Sequence, residues 1–100
     1  MKIYLWITLL FSTNAFAYKE CIVTPSKIYA GDDGVIWVTY KEGGHFNVFK
    51  DDPNQKNVLT LVTAALMGGN KLSVRFASDD VICEQGRSRD FLGVWLLAKK

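Results

Sequence analysis

Nucleophilic or acid–base catalysis needs a histidine, a reactive thiol or an activated hydroxyl held within hydrogen-bond reach of a partner. This chain offers one histidine, His45, and two cysteines, Cys21 and Cys83. With no second histidine and no spare thiol, His45 lacks the company a zinc site requires. The acidic pairs Asp32–Asp33, Asp51–Asp52 and Asp79–Asp80 follow no calcium-loop spacing, and each lies where a turn would draw on aspartate for local hydrogen bonding. No catalytic signature is legible, so an enzyme is not expected, and neither is a metal or another cofactor. Two clusters suit binding instead. Trp37, Tyr40, His45 and Asn47 flank the turn at Gly43–Gly44, and could offer a sugar an aromatic face with polar groups beside it. The competing expectation for them is a core tryptophan among ordinary strand residues. Arg87, Ser88 and Arg89 follow Cys83, and arginine forks recognise carboxylates, including that of an acidic sugar. The competing expectation there is a solvated loop.

Those side chains need elements to hold them, and the first segment is not one of these. Residues 1–17, MKIYLWITLLFSTNAFA, join Lys2, an apolar run and a small-x-small sequence at Ala15-Phe16-Ala17. This is the pattern of a secretory signal peptide cut after Ala17. The apolar run falls short of the roughly 20 residues that span a bilayer, so no stable membrane insertion is expected. Residues 18–100 then form one domain, secreted or periplasmic. In an oxidising compartment Cys21 and Cys83 most simply form one disulfide, closing a loop worth about 4 kcal/mol in the chain-entropy account. Net charge is +2 with 12 basic and 10 acidic residues, too balanced for phosphate-backbone binding, so nucleic acid is not an expected partner. Aromatic residues at 13% and hydrophobic residues at 49% supply a packed core.

Element signals are mainly β. Residues 21–29 read as a strand with an edge or bulge at Pro25, since proline donates no ladder hydrogen bond. Gly31-Asp32-Asp33-Gly34 is a turn. Residues 35–40, VIWVTY, are β-branched or aromatic throughout, and their bulk suggests cover on both faces. Residues 45–49 alternate, with Phe46 and Val48 inward. Asp52, Pro53 and Gln55 resemble a capping box at the start of a helix over 53–67. Its stripe of Val58, Val62, Ala65 and Leu66 faces the core, leaving Thr60, Thr63 and Met67 for a subunit contact, and Gly68–Gly69 ends it. Residues 71–76 alternate, with Leu72, Val74 and Phe76 inward. Residues 81–83 suggest a short return segment, 84–90 a polar loop, and 91–97 a final strand. Strand, strand, strand, helix, strand, strand predicts a mainly β domain with one helix: a small five-stranded OB-like barrel with one disulfide. A small α+β sandwich has a similar order.

Several pieces resemble a known family. Cys21 lies in the first strand, and a helix carries Leu59-x-Leu61-x-x-Ala64-Ala65. Gly69-Asn70-Lys71-Leu72-Ser73-Val74-Arg75-Phe76 follows, then Cys83 and a terminal apolar strand at 93–97. Together these resemble the small exported B subunits of AB5-type toxins, in particular the subtilase-cytotoxin and pertussis-like group. The resemblance implies an OB barrel, a homopentameric ring, a catalytic A-subunit partner and recognition of cell-surface glycans. This chain is shorter than the larger members, and no glycan-contacting residue carries over by position. Residues 32–35 through 45–49 are also similar to the bacterial periplasmic OB-fold family, although the helix and the two cysteines fit it less well.

The expectation is therefore an exported, non-catalytic binding module, similar to a toxin B subunit, that recognises glycans or a partner protein. Tyr40, His45, Asn47, Arg87 and Arg89 are its candidate ligand-binding residues. The alternatives are a periplasmic OB-fold stress or envelope protein that binds a small ligand, and an inhibitor or immunity protein for a secreted enzyme.

Overall fold

The computed structural model describes residues 18–87 and 89–99. The predicted signal peptide at 1–17, and Ser88, lie outside the described residues. The N-terminal extended stretch is two strands, β1 (Lys19–Val23) and β2 (Pro25–Gly31). They part at Thr24, and each joins a different sheet. In one, β1 pairs with β5 (Leu72–Phe76), which pairs with β6 (Phe91–Leu96). In the other, β2 pairs with β3 (Val35–Tyr40), which pairs with β4 (His45–Val48). All four pairings are antiparallel. Among the described residues there are thus six strands in two three-stranded sheets, where the sequence suggested five in a barrel, and the ladders do not close. The split follows from Pro25, which cannot donate into a continuing ladder, and the β2–β3 register slips between Pro25 and Lys27. Thr24 fixes the bend: its N–H and hydroxyl donate to the two carboxylate oxygens of Glu42 at 2.8 and 2.9 Å, and its carbonyl accepts from the Lys41 N–H at 2.8 Å.

The inner faces pack as period-2 alternation requires. Val23, Val38, Phe46, Val62, Ala65, Leu72, Val74 and Phe76 are all fully buried. Phe46 stacks on Phe91 at 4.4 Å between ring centroids, carrying the core from β4 to β6. Strand β3 is covered on one face only, because Ile36, Val38 and Tyr40 are buried while Trp37 is 42% exposed.

The helix, α1 (Gln55–Gly68), packs on β2, β3 and β6 and so bridges both sheets. Its buried stripe is Val58, Val62 and Ala65, as the helical spacing predicts, whereas Leu66, expected in the same stripe, is only half-buried. It starts two residues later than the capping-box reading. The Asp52 carboxylate accepts from the Asn54 N–H at 2.8 Å, which makes a local turn of 52–54 instead of a first helical turn. Gln55 also takes another role: its side-chain amide donates to the Gly34 and Val48 carbonyls at 2.8 and 3.0 Å. That pins the start of the helix to the β2–β3 turn and the end of β4. At the other end Gly69 takes φ +73° and the Asn70 N–H reaches the Ala65 carbonyl at 2.9 Å, the expected left-handed stop.

Residues 81–83 form no strand. Val81 is buried as an apolar anchor, and Cys83 is bonded to Cys21 with their Cα atoms 5.5 Å apart. No helix among the described residues is long and apolar enough to cross a membrane.

Candidate functional site

The outer face of the β2–β3–β4 sheet carries an aromatic platform, and strand register decides its membership. Tyr29 pairs with Trp37 and Trp37 with Asn47, so these three form one row across the sheet. Lys27 pairs with Thr39 and Thr39 with His45, which form the next row. The rows touch through Trp37 and His45, whose ring centroids lie 5.4 Å apart. Tyr29 and Phe49, each 49% exposed, flank the half-exposed Trp37. Gly31 lets Tyr29 lie along the sheet, because a Cβ there would meet its hydroxyl at 2.7 Å. Three large aromatic rings thus remain open to solvent on one face, where a covered sheet would have buried them.

Two grooves share Tyr29 and Trp37. One, of about 480 Å³, runs beside Lys27, Thr39, Gly43, Gly44 and His45. The other, of about 350 Å³, runs beside Asp32, Asp33, Val35, Asn47 and Phe49. Both volumes suit small-molecule ligands, which occupy about 300–1,000 Å³. The first groove carries a lysine and an imidazole, the second two carboxylates and an amide. Asp32 and Asp33 sit in a 3-10 turn (Asp32–Gly34), with Asp33 at φ +56°.

The disulfide loop holds His45 from behind. At Gly44 an added Cβ would collide with the Cys83 carbonyl oxygen, and at Gly86, φ +68°, it would collide with the backbone of His45. The Arg87 N–H donates to the His45 carbonyl at 3.0 Å. Arg87 and Phe46 form an isolated parallel bridge, which ties β4 to the segment leading into β6. These contacts fix the hairpin end that presents His45.

The residues expected to bind ligand separate on the structure. His45 belongs to the platform, and Trp37 is exposed at its centre. Asn47 lies at its border, with an Oδ1 that is buried and has no hydrogen-bond partner among the described residues. Tyr40 does not belong: it is 3% exposed and faces Phe46 at 6.1 Å, because it shares the inward parity of Ile36 and Val38. Burial pushes its phenol above the ordinary value, and the Glu42 charge adds to the shift. Arg87 is already engaged, by Asp90 at 2.7 Å and Asp80 at 2.9 Å. Its guanidinium is held above its ordinary value, first by the Asp90 hydrogen bond, so it serves as a loop clamp. Arg89 is exposed and lines an adjoining groove of about 540 Å³, with Asp51 and Phe91, that shares Asn47 and Phe49 with the platform.

Sequence reading missed Lys27, Tyr29 and Phe49 on the platform. Pairing β2 with β3 in register would have found Lys27 and Tyr29. The acidic pairs serve turns: Asp52 holds the turn before α1, and Asp80 accepts from the Ser78 hydroxyl. That hydrogen bond is the main cause holding the Asp80 carboxyl below its ordinary value. Among the described residues no three His, Cys, Asp or Glu side chains converge as metal ligands. No family model, curated protein or solved structure matches the chain.

Proposed function

We propose that this chain is an exported, non-catalytic binding module that recognises glycans on the outer face of the β2–β3–β4 sheet. The observation that carries this reading is the solvent-facing set Tyr29, Trp37 and Phe49, with two ligand-sized grooves between polar groups. Sugar rings present apolar C–H faces and a rim of hydroxyls. Exposed aromatic rings meet the faces, and carboxylates, amides and imidazole meet the rim. The Cys21–Cys83 bond supports an oxidising compartment.

An OB-like architecture is part of the same reading. If β1 and β2 are counted as one strand bent at Thr24, five strands remain, shared between two sheets, and the Phe46–Arg87 bridge lies on the side where such a barrel closes. The resemblance to AB5 B subunits adds a ring of five copies, which would raise weak single-site affinity through avidity. The other sheet supplies a surface for that contact. Ile22 and Trp95, 62% and 61% exposed, flank Ser73 in one row across its outer face. Sedimentation of the mature protein at high micromolar concentration checks the assembly, and a persistent monomer removes the ring.

The test of the function is a glycan array probed with the wild-type domain and with Trp37→Ala. Trp37 is outside the core but pairs across the sheet with Tyr29 and Asn47, so the variant should lose binding while its stability falls by only about 1–2 kcal/mol and the domain stays folded. An array without hits for the wild type, or hits unchanged in Trp37→Ala, defeats the proposal.

A further inference from the structure

We infer that the platform takes a linear glycan of at least two linked rings, neutral or bearing an amino group, and discriminates against acidic sugars at the Asp32–Asp33 end. This rests on the proposed function and narrows its ligand class. Because the two grooves share the rings of Tyr29 and Trp37, a ligand lying over the central rings enters both. A single ring placed on Trp37 reaches the polar groups of one side only; two or more linked rings engage both rows of the sheet.

The two ends differ in charge, which gives the ligand a direction. Lys27 and His45 line one groove, and Asp32 and Asp33 the other. The nearby cations are Lys50, which lines the adjoining surface with Asp33 and Asp51, and Arg89, which lines the next groove with Asn47, Phe49, Asp51 and Asp52. Carboxylates therefore outnumber cations there. Asn47 lines the same groove as Asp32 and Asp33. This end is rich in acceptors and calls for hydroxyl, amide N–H or ammonium donors. A sugar carboxylate there would face two like charges, a repulsion worth about a tenfold loss in affinity at low salt. Arg87, which could have recognised an acid, is held by Asp80 and Asp90.

Titration calorimetry separates the possibilities. The probes are β-linked N-acetylglucosamine oligomers of one to five units, their deacetylated counterparts, and uronic-acid oligomers of matched length. Affinity should rise about tenfold or more from the monosaccharide to the trisaccharide, since each further stacked ring adds a contact. Uronic-acid oligomers should bind about tenfold more weakly than neutral ones, and Asp32→Asn with Asp33→Asn should erase most of that gap. Asparagine accepts the left-handed backbone at position 33, so the double variant keeps its turn. Equal affinity for one and three units, or a preference for uronic-acid oligomers, overturns this inference and leaves glycan recognition standing. If none of these saccharides binds, the inference falls, while the glycan array decides separately whether glycan recognition on this face stands.

Discussion

Replacing both cysteines, as Cys21→Ala with Cys83→Ala, should cost the domain about 4 kcal/mol. The bond joins residues separated by 62 positions. The chain-entropy relation assigns a loop of that length about 4 kcal/mol at 25 °C. Alanine is the appropriate replacement, because Cys21 is 1% exposed and a serine hydroxyl there would add its own burial penalty. Domains of this size are stable by about 4–12 kcal/mol, so the bond supplies between a third and all of the total. With a urea dependence of about 1 kcal/mol per molar, the midpoint should fall by several molar, and a domain at the lower end of that range should be partly unfolded before any urea is added. Urea titration followed by circular dichroism, with parallel runs of the wild type with and without reductant, measures the loss directly. A loss below about 1 kcal/mol would refute the reasoning, since it would mean that the unfolded chain is confined almost as much without the bond as with it.

Tyr40→Phe should leave glycan binding unchanged and raise stability by up to about 1 kcal/mol, because the buried hydroxyl has no hydrogen-bond partner among the described residues; calorimetric melting checks it, and a destabilised variant contradicts it. Gly86→Ala should destabilise by about 2 kcal/mol or more, from the positive φ and the collision with His45, and should weaken binding at the platform, as a urea midpoint and a glycan titration would show. Acid should remove a stabilising contribution from Glu42. Burial opposes its charge, but hydrogen bonds from Thr24 and the Lys71 charge outweigh that and hold the carboxyl below its ordinary value of 4.5. The contribution is complete above about pH 4.5 and fades as pH falls through the lower folded value, so Glu42→Gln should flatten the fall of the urea midpoint over that interval.

Alternation made much of the fold legible. Phe46, Val48, Leu72, Val74 and Phe76 are inward as their spacing requires, and the helix stripe faces the core. Gly69 stops the helix for the expected dihedral reason. The disulfide pairing followed from having only two cysteines. What local signals could not deliver was competition between partners. Asp52 could cap a helix or close a turn, and the turn won because Asn54 offered its N–H first. Gln55 could complete a capping box, but carbonyls from two strands lay within its reach. The site was half legible for a related reason. Trp37 and Tyr40 both read as aromatic strand residues, yet they differ by an odd number of positions and so face opposite ways. Arg87 looked available because Asp80 and Asp90, which occupy it, are brought together only by the folded loop.

The seal behind His45 has a temporal consequence. Cys83, Gly86 and Arg87 reach the β3–β4 hairpin only after some four-fifths of the chain has been made. A nascent domain that ends before them holds an unpaired Cys21 and a Phe46 without its stacking partner Phe91. The staple and the core therefore both wait on the last fifth of the sequence: Cys21 has no thiol to pair with before Cys83, and Phe46 has no ring to stack on before Phe91.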